Sequence, residues 1–110
     1  MAQSKTDLFE EKYVKSAEFF KALAHPARLQ ILQLLSEANT CITGDISDHL
    51  PLGRTTVNQH IKELKKIGLI QGEIQGVKTK YCLNASVVEE LKHVLQSLLN
   101  SIKTDDLACE

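Results

Sequence analysis

Between Arg54 and Ile67 the polar side chains are of types that touch nucleic acid. Place Val57 at zero on a helical wheel with about 100° per residue. Ile61 and Leu64 then fall within about 40° of it and mark a buried pole. Thr55, Gln59, Lys62 and Lys66 fall near the opposite pole and Asn58 on one flank, with Arg54 and His60 at the two borders. With Thr56 they make a face of hydroxyls, amides and bases, in which Glu63 is the acid. Gln and Asn can present a paired donor and acceptor to adenine, Arg to guanine, and Thr a methyl group to thymine. The readers come early in the helix and the lysines late. A helix lying in a groove between two phosphate ridges needs that order.

The elements around this helix fit the same task. Pro51-Leu52-Gly53 breaks the chain just before it, so a short preceding helix would complete a helix-turn-helix. After it come two extended runs, Leu69–Ile74 and Lys78–Leu83, joined through Gln75-Gly76-Val77. Gly76 supplies the positive φ of a tight hairpin. Lys78 and Lys80 stand near its tip, as a wing reaching for backbone phosphates would carry them. The expected DNA-contacting set is Arg54, Thr55, Thr56, Asn58, Gln59, His60, Lys62, Lys66, Lys78 and Lys80.

The spacing predicts a first helix from near Asp7, with Asp7 and Glu10 forming a capping box. Phe9, Tyr13, Ala17, Phe20 and Leu23 make one apolar stripe on it, which needs a core or a second subunit to cover it. His25-Pro26 ends that helix, and His25 caps a second one over Ala27–Glu37. A brief strand is expected at Cys41-Ile42-Thr43, then a short helix over Gly44–Leu50 capped by Thr43. Gly68 stands where a helix C-terminal glycine belongs. The last helix is expected from Ser86, boxed by Glu89, to Lys103. Val88, Leu91, Leu95, Leu98 and Ile102 recur on it at spacings of 3 and 4, a seam that packs on another helix.

The chain has 110 residues, enough for one domain over 1–110 with loose tails at 1–6 and 104–110. Its net charge of −1 hides an asymmetry. Residues 53–80 hold six bases against two acids, a net +4, and the rest of the chain carries −5. One face is thereby suited to a polyanion. No apolar run approaches a membrane span, and the polar N-terminus lacks a secretory pattern, so a cytoplasmic protein away from membranes is expected. Three cysteines without a close pair do not make a disulfide framework. No phosphate loop, paired catalytic carboxylates or nucleophile with a sequence-adjacent His is present, which argues against an enzyme. A winged helix used as a protein-interaction module is the alternative, since fold alone does not set function.

The segments HPARLQILQLL, ITGDISDHL, TTVNQHIKELKKIGLI and IQGEIQGVKTKYCLN resemble the ArsR-type (arsenic-repressor-like) winged helix-turn-helix regulators. The likeness runs over about residues 17–100. It implies a mainly α fold (α+β) of about five helices with a two- to three-stranded β-wing. It also implies a homodimer built from the first and last helices, through Phe9, Tyr13, Phe20, Val88, Leu91, Leu95, Leu98 and Ile102. The partner it implies is a double-stranded, pseudo-palindromic operator, released when an inducer binds.

The inducer sites of that family are incomplete here. Arsenic- and cadmium-sensing members carry Cys-x-Cys where this chain reads Cys41-Ile42-Thr43. Zinc- and nickel-sensing members carry several ligands on the last helix, where this chain has His93. Asp45 and His49, four apart, are too few for a metal site. In winged helices the strand at Cys41 pairs with the second wing strand, so Cys41 and Cys82 are expected to be neighbours on one face. They could take As(III) or another soft ion with a third ligand such as Cys109, or form a reversible disulfide. Alternatively, they are small packed residues with no cofactor at all.

Overall fold

The architecture is taken from a computed structural model, which describes residues 8–38, 41–43, 46–75 and 78–105. The Asp7 cap, Gly44, Asp45, Gly76, Cys109 and the 1–6 tail lie outside the described residues. The elements run α1 (Glu11–Leu23), α2 (Pro26–Ala38), β1 (Ile42–Thr43), a 3-10 turn (Ile46–His49), α3 (Arg54–Lys66), β2 (Ile70–Gln75), β3 (Lys78–Leu83) and α4 (Ala85–Ser101). The fold is a mainly helical winged helix. β2 and β3 form an antiparallel wing, and β1 adds to the far side of β3 to give the order β1-β3-β2.

One core joins these parts. Ile31, Ile46, Val57, Leu64, Leu69 and Ile70 are almost completely buried, with Phe19, Leu35, Ile61 and Leu91 around them. The apolar pole of α3, Val57-Ile61-Leu64, is the one expected, so its polar arc is forced outward. Truncating Leu64 to Ala in such a packed site costs about 2–5 kcal/mol.

The end of α3 is set by backbone hydrogen bonds. Gly68 N–H donates to Lys65 O at 2.9 Å and Leu69 N–H to Leu64 O at 3.1 Å. Gly68 has φ of 88°. This nested pair with a left-handed glycine is the Schellman stop. Buried Leu64 and Leu69 supply its apolar contact, and the chain leaves directly into β2.

Several expected boundaries shift. α1 begins later than expected: Glu10 is its N-cap, and its side chain makes no cap hydrogen bond. The last helix starts one residue early. Its N-cap is Asn84, Ser86 Oγ donates to Asn84 Oδ1 at 3.0 Å, and Glu89 pairs with Lys92 instead of closing a box. Among the described residues the segment before α3 is a 3-10 turn over Ile46–His49 where a helix over Gly44–Leu50 was expected. Pro51 and Gly53 leave it too short to repay helix nucleation. On α1 the buried residues are Phe19 and Ala22, while Phe9, Tyr13 and Ala17 are exposed. The centre of the expected stripe therefore lies about 130° around the helix from the core-facing pole.

Candidate nucleic-acid interface

With its apolar pole buried, α3 exposes Arg54, Thr55, Thr56, Asn58, Gln59, Lys62 and Lys66. Glu63, half-buried, is 3.8 Å from Lys66 and takes up part of its charge. The wing brings a half-buried Lys80 opposite Glu73 in the β2–β3 register. Lys78 pairs with Gln75 through the backbone at the last described register position of the hairpin. The polar arc and the wing thus extend from one core, joined by the Gly68 stop.

The border residue His60 has a partner that no sequence pattern showed. Its Nδ1 accepts a hydrogen bond from Arg28 Nε at 3.1 Å. The same guanidinium donates through Nη1 to Lys21 O at 3.2 Å and Ala22 O at 3.4 Å. Those carbonyls belong to the last turn of α1, where helical partners run out. Arg28 therefore ties three helices together. His25 caps α2 as expected, its Nδ1 accepting from Ala27 N–H at 3.0 Å. Its ring lies against that of His60, centroids 4.1 Å apart and tilted by 39°. Burial first, and then His25 and Arg28, push the His60 pKa below its ordinary 6.5. All three favour the neutral imidazole. The only trace of this cluster in the sequence was the His-Pro-x-Arg run, 32 residues from His60.

The structure brings Cys41 and Cys82 together. The β1–β3 register pairs Ile42 with Tyr81, so Cys41 faces Cys82 one step along. The two form a disulfide with Cα atoms 4.4 Å apart. Among the described residues no group of three or more His, Cys, Asp or Glu is placed to hold a metal ion. His49 and His93 are exposed.

The residues expected at a subunit contact divide. Leu91 is buried in the chain's own core, and Phe20 and Val88 pack against it. Phe9, Tyr13, Leu95, Leu98 and Ile102 remain exposed, Phe9 by 64% and Ile102 by 55%. Leu8 and Leu99 join them. Lys15 and Glu90, 2.8 Å apart, hold α1 and α4 side by side.

Residues 25–71 match the family model described as bacterial regulatory protein, arsR family. An HTH-type transcriptional regulator of Methanocaldococcus jannaschii is 35% identical over 80% of this chain and 99% of its own. The arsenical resistance operon repressor of Staphylococcus xylosus is 33% identical, with 88% of each chain covered. This chain belongs to the ArsR family of transcriptional regulators. The solved structure of HlyU from Vibrio cholerae superposes with a TM-score of 0.65 at 27% identity, covering 82% of this chain and 97% of that one. The family is one of DNA-binding regulators and not of enzymes. Among the described residues no helix is long and apolar enough to cross a membrane.

Proposed function

We propose that this regulator is a cytoplasmic, homodimeric repressor, a single domain over 1–110. It reads a pseudo-palindromic operator with α3 and leaves it when Cys41 and Cys82 change state. The observation that carries the reading is the arc of α3, with hydroxyls and amides in its first two turns and lysines after them. Thr55, Thr56, Asn58 and Gln59 face base edges. Arg54, His60, Lys62, Lys66, Lys78 and Lys80 face the backbone. The exposed apolar strip of α1 and α4 supports a second copy as the partner.

The disulfide between Cys41 and Cys82 favours thiol oxidation as the signal. An oxidant such as diamide takes two electrons from the two thiols, two protons leave, and one S–S bond forms. The bond staples β1, at the entry to the helix-turn-helix, onto the wing strand β3. The angle between α3 and the wing then follows the redox state. In the reduced state the same pair is a dithiol that can release two protons and take As(III) with a third ligand, since a soft ion needs deprotonated sulfur.

Operator release measured by gel shift tests this, with the DNA upstream of the protein's own coding sequence. Diamide and As(III) are added to wild type, Cys41→Ser, Cys82→Ser and Cys109→Ser. Response in wild type and Cys109→Ser, and none in the other two, is expected. Full response in a Cys41→Ser, Cys82→Ser double variant would remove the thiol pair from the account.

A further inference from the structure

Two stacked histidines at a protein surface suggest a metal site, and their hydrogen bonds exclude one. A neutral imidazole carries one proton, on Nδ1 or on Nε2. His25 Nδ1 accepts from the backbone N–H of Ala27, and His60 Nδ1 accepts from the guanidinium of Arg28. Neither donor can reverse its role: an amide N–H and an Arg Nε–H only donate. Both Nδ1 lone pairs are occupied, so both protons sit on Nε2. An Nε2–H has no lone pair left for a metal ion.

What the pair offers is two N–H donors. His60 Nε2 makes no hydrogen bond among the described residues, and no buried side-chain nitrogen or oxygen lacks a partner. His60 Nε2–H therefore opens to solvent. His25 is exposed. The rings are in contact, centroids 4.1 Å apart, so one ligand lying across the pair could meet both. That ligand must be a hydrogen-bond acceptor. The surroundings favour an anion: Arg28 stands behind His60, and Lys21 and Lys66 line the adjoining cleft with Glu18 and Glu63. Thr56, one turn before His60, belongs to the exposed arc of α3, so the pair borders the reading face.

We propose that His25 and His60, locked as Nε2–H tautomers by Ala27 and Arg28, form a neutral donor pair for a backbone phosphate of duplex DNA. Arg28 is the positioning residue. This rests on the DNA-binding reading, and adds a contact from the residue that caps α2, which the recognition helix alone does not supply. The neutrality of the pair has a consequence that a lysine contact lacks. Neutral donors release no counterion, so losing them weakens binding equally at every salt concentration.

The test uses the full chain and a mixed-sequence duplex. Imidazole ¹⁵N spectra at neutral pH should show both residues protonated on Nε2. Adding duplex should move the two Nε2 signals, while Zn(II) alone leaves them in place. Arg28→Lys keeps the charge but loses the placed Nε–H, and should turn His60 into a tautomer mixture. In anisotropy titrations His60→Asn should bind about fivefold more weakly, the worth of one hydrogen bond, with the salt slope unchanged. His60→Gln, whose amide nitrogen reaches the Nε2 position, should recover part of that loss. Nδ1–H tautomers, stoichiometric Zn(II) binding at the pair, or a wild type that binds duplex with unmoved Nε2 signals would overturn the proposal and leave the DNA reading standing. A wild type that binds no duplex would overturn both.

Discussion

Gln59 and Lys62 stand three apart on α3, both exposed, yet their proposed work is different. An amide that reads a base edge distinguishes sequences, and an ammonium beside a phosphate does not. Gln59→Ala or Asn58→Ala should lose about 1–3 kcal/mol at individual base pairs and leave binding to random duplex nearly intact. Lys62→Ala should weaken binding to all duplexes alike and flatten the salt dependence by about one unit of slope. Anisotropy titrations on operator and scrambled duplexes separate the two. His60 carries a pH prediction. Its pKa is lowered in the folded chain, so the unfolded chain binds the proton first as pH falls. Stability should be level above the ordinary value of 6.5 and decline as pH drops through that value towards the lowered one. Urea melts across that window should show the decline, and His60→Gln should reduce it. The reading arc was legible in the sequence because a helix wheel needs only local spacing. The His25–Arg28–His60 cluster was not, because it is made by the crossing of three helices, and no periodicity records a crossing.

At the scale of elements, α3 ends where Gly68 takes φ of 88°. A Cβ there would also meet Val87 Cγ2 at 3.4 Å, so the change is ordinary contact in space and strained in backbone. Gly68→Ala should cost about 1–2 kcal/mol, read as a lower urea midpoint at unchanged slope. The disulfide spans 41 residues of chain. By the chain-entropy estimate, closing a loop of that length stabilises by up to about 4 kcal/mol. Reduction of wild type should lower the melting midpoint, and Cys82→Ser should be insensitive to reductant. Apolar period and helix punctuation marked every long element within a few residues. The short helix before α3 was over-read, since polar residues around Ile46 and Leu50 look the same in a 3-10 turn as in one helical turn. On α1 the aromatic stripe left open whether the core or a second subunit covers it, and Phe9 and Tyr13 are exposed. Phe19, and not Phe20, is the core residue, because two apolar arcs share that helix and periodicity does not say which one meets the core.

The whole molecule is open for its length. Its surface of 8368 Å² exceeds the roughly 6,100 Å² expected of a monomer of this mass. Its radius of gyration is 17.1 Å, against about 13 Å for a compact domain of this length. On and beside α1 and α4, Phe9, Tyr13, Leu99 and Ile102 form an exposed apolar strip. A second copy would cover that strip and set two α3 helices at a fixed separation. Leu98→Glu with Ile102→Glu should give monomers by sedimentation and leave the fold intact, since neither residue is in the core. Leu91→Glu should unfold the chain instead, because Leu91 is buried. Footprinting on the DNA upstream of the protein's own coding sequence tests symmetry and reading together. The account predicts two protected half-sites on one face of the duplex, about one helical turn apart or a multiple of that, with protection lost in the Leu98→Glu, Ile102→Glu variant. A single unpaired footprint, or protection no better than on random DNA, would contradict it.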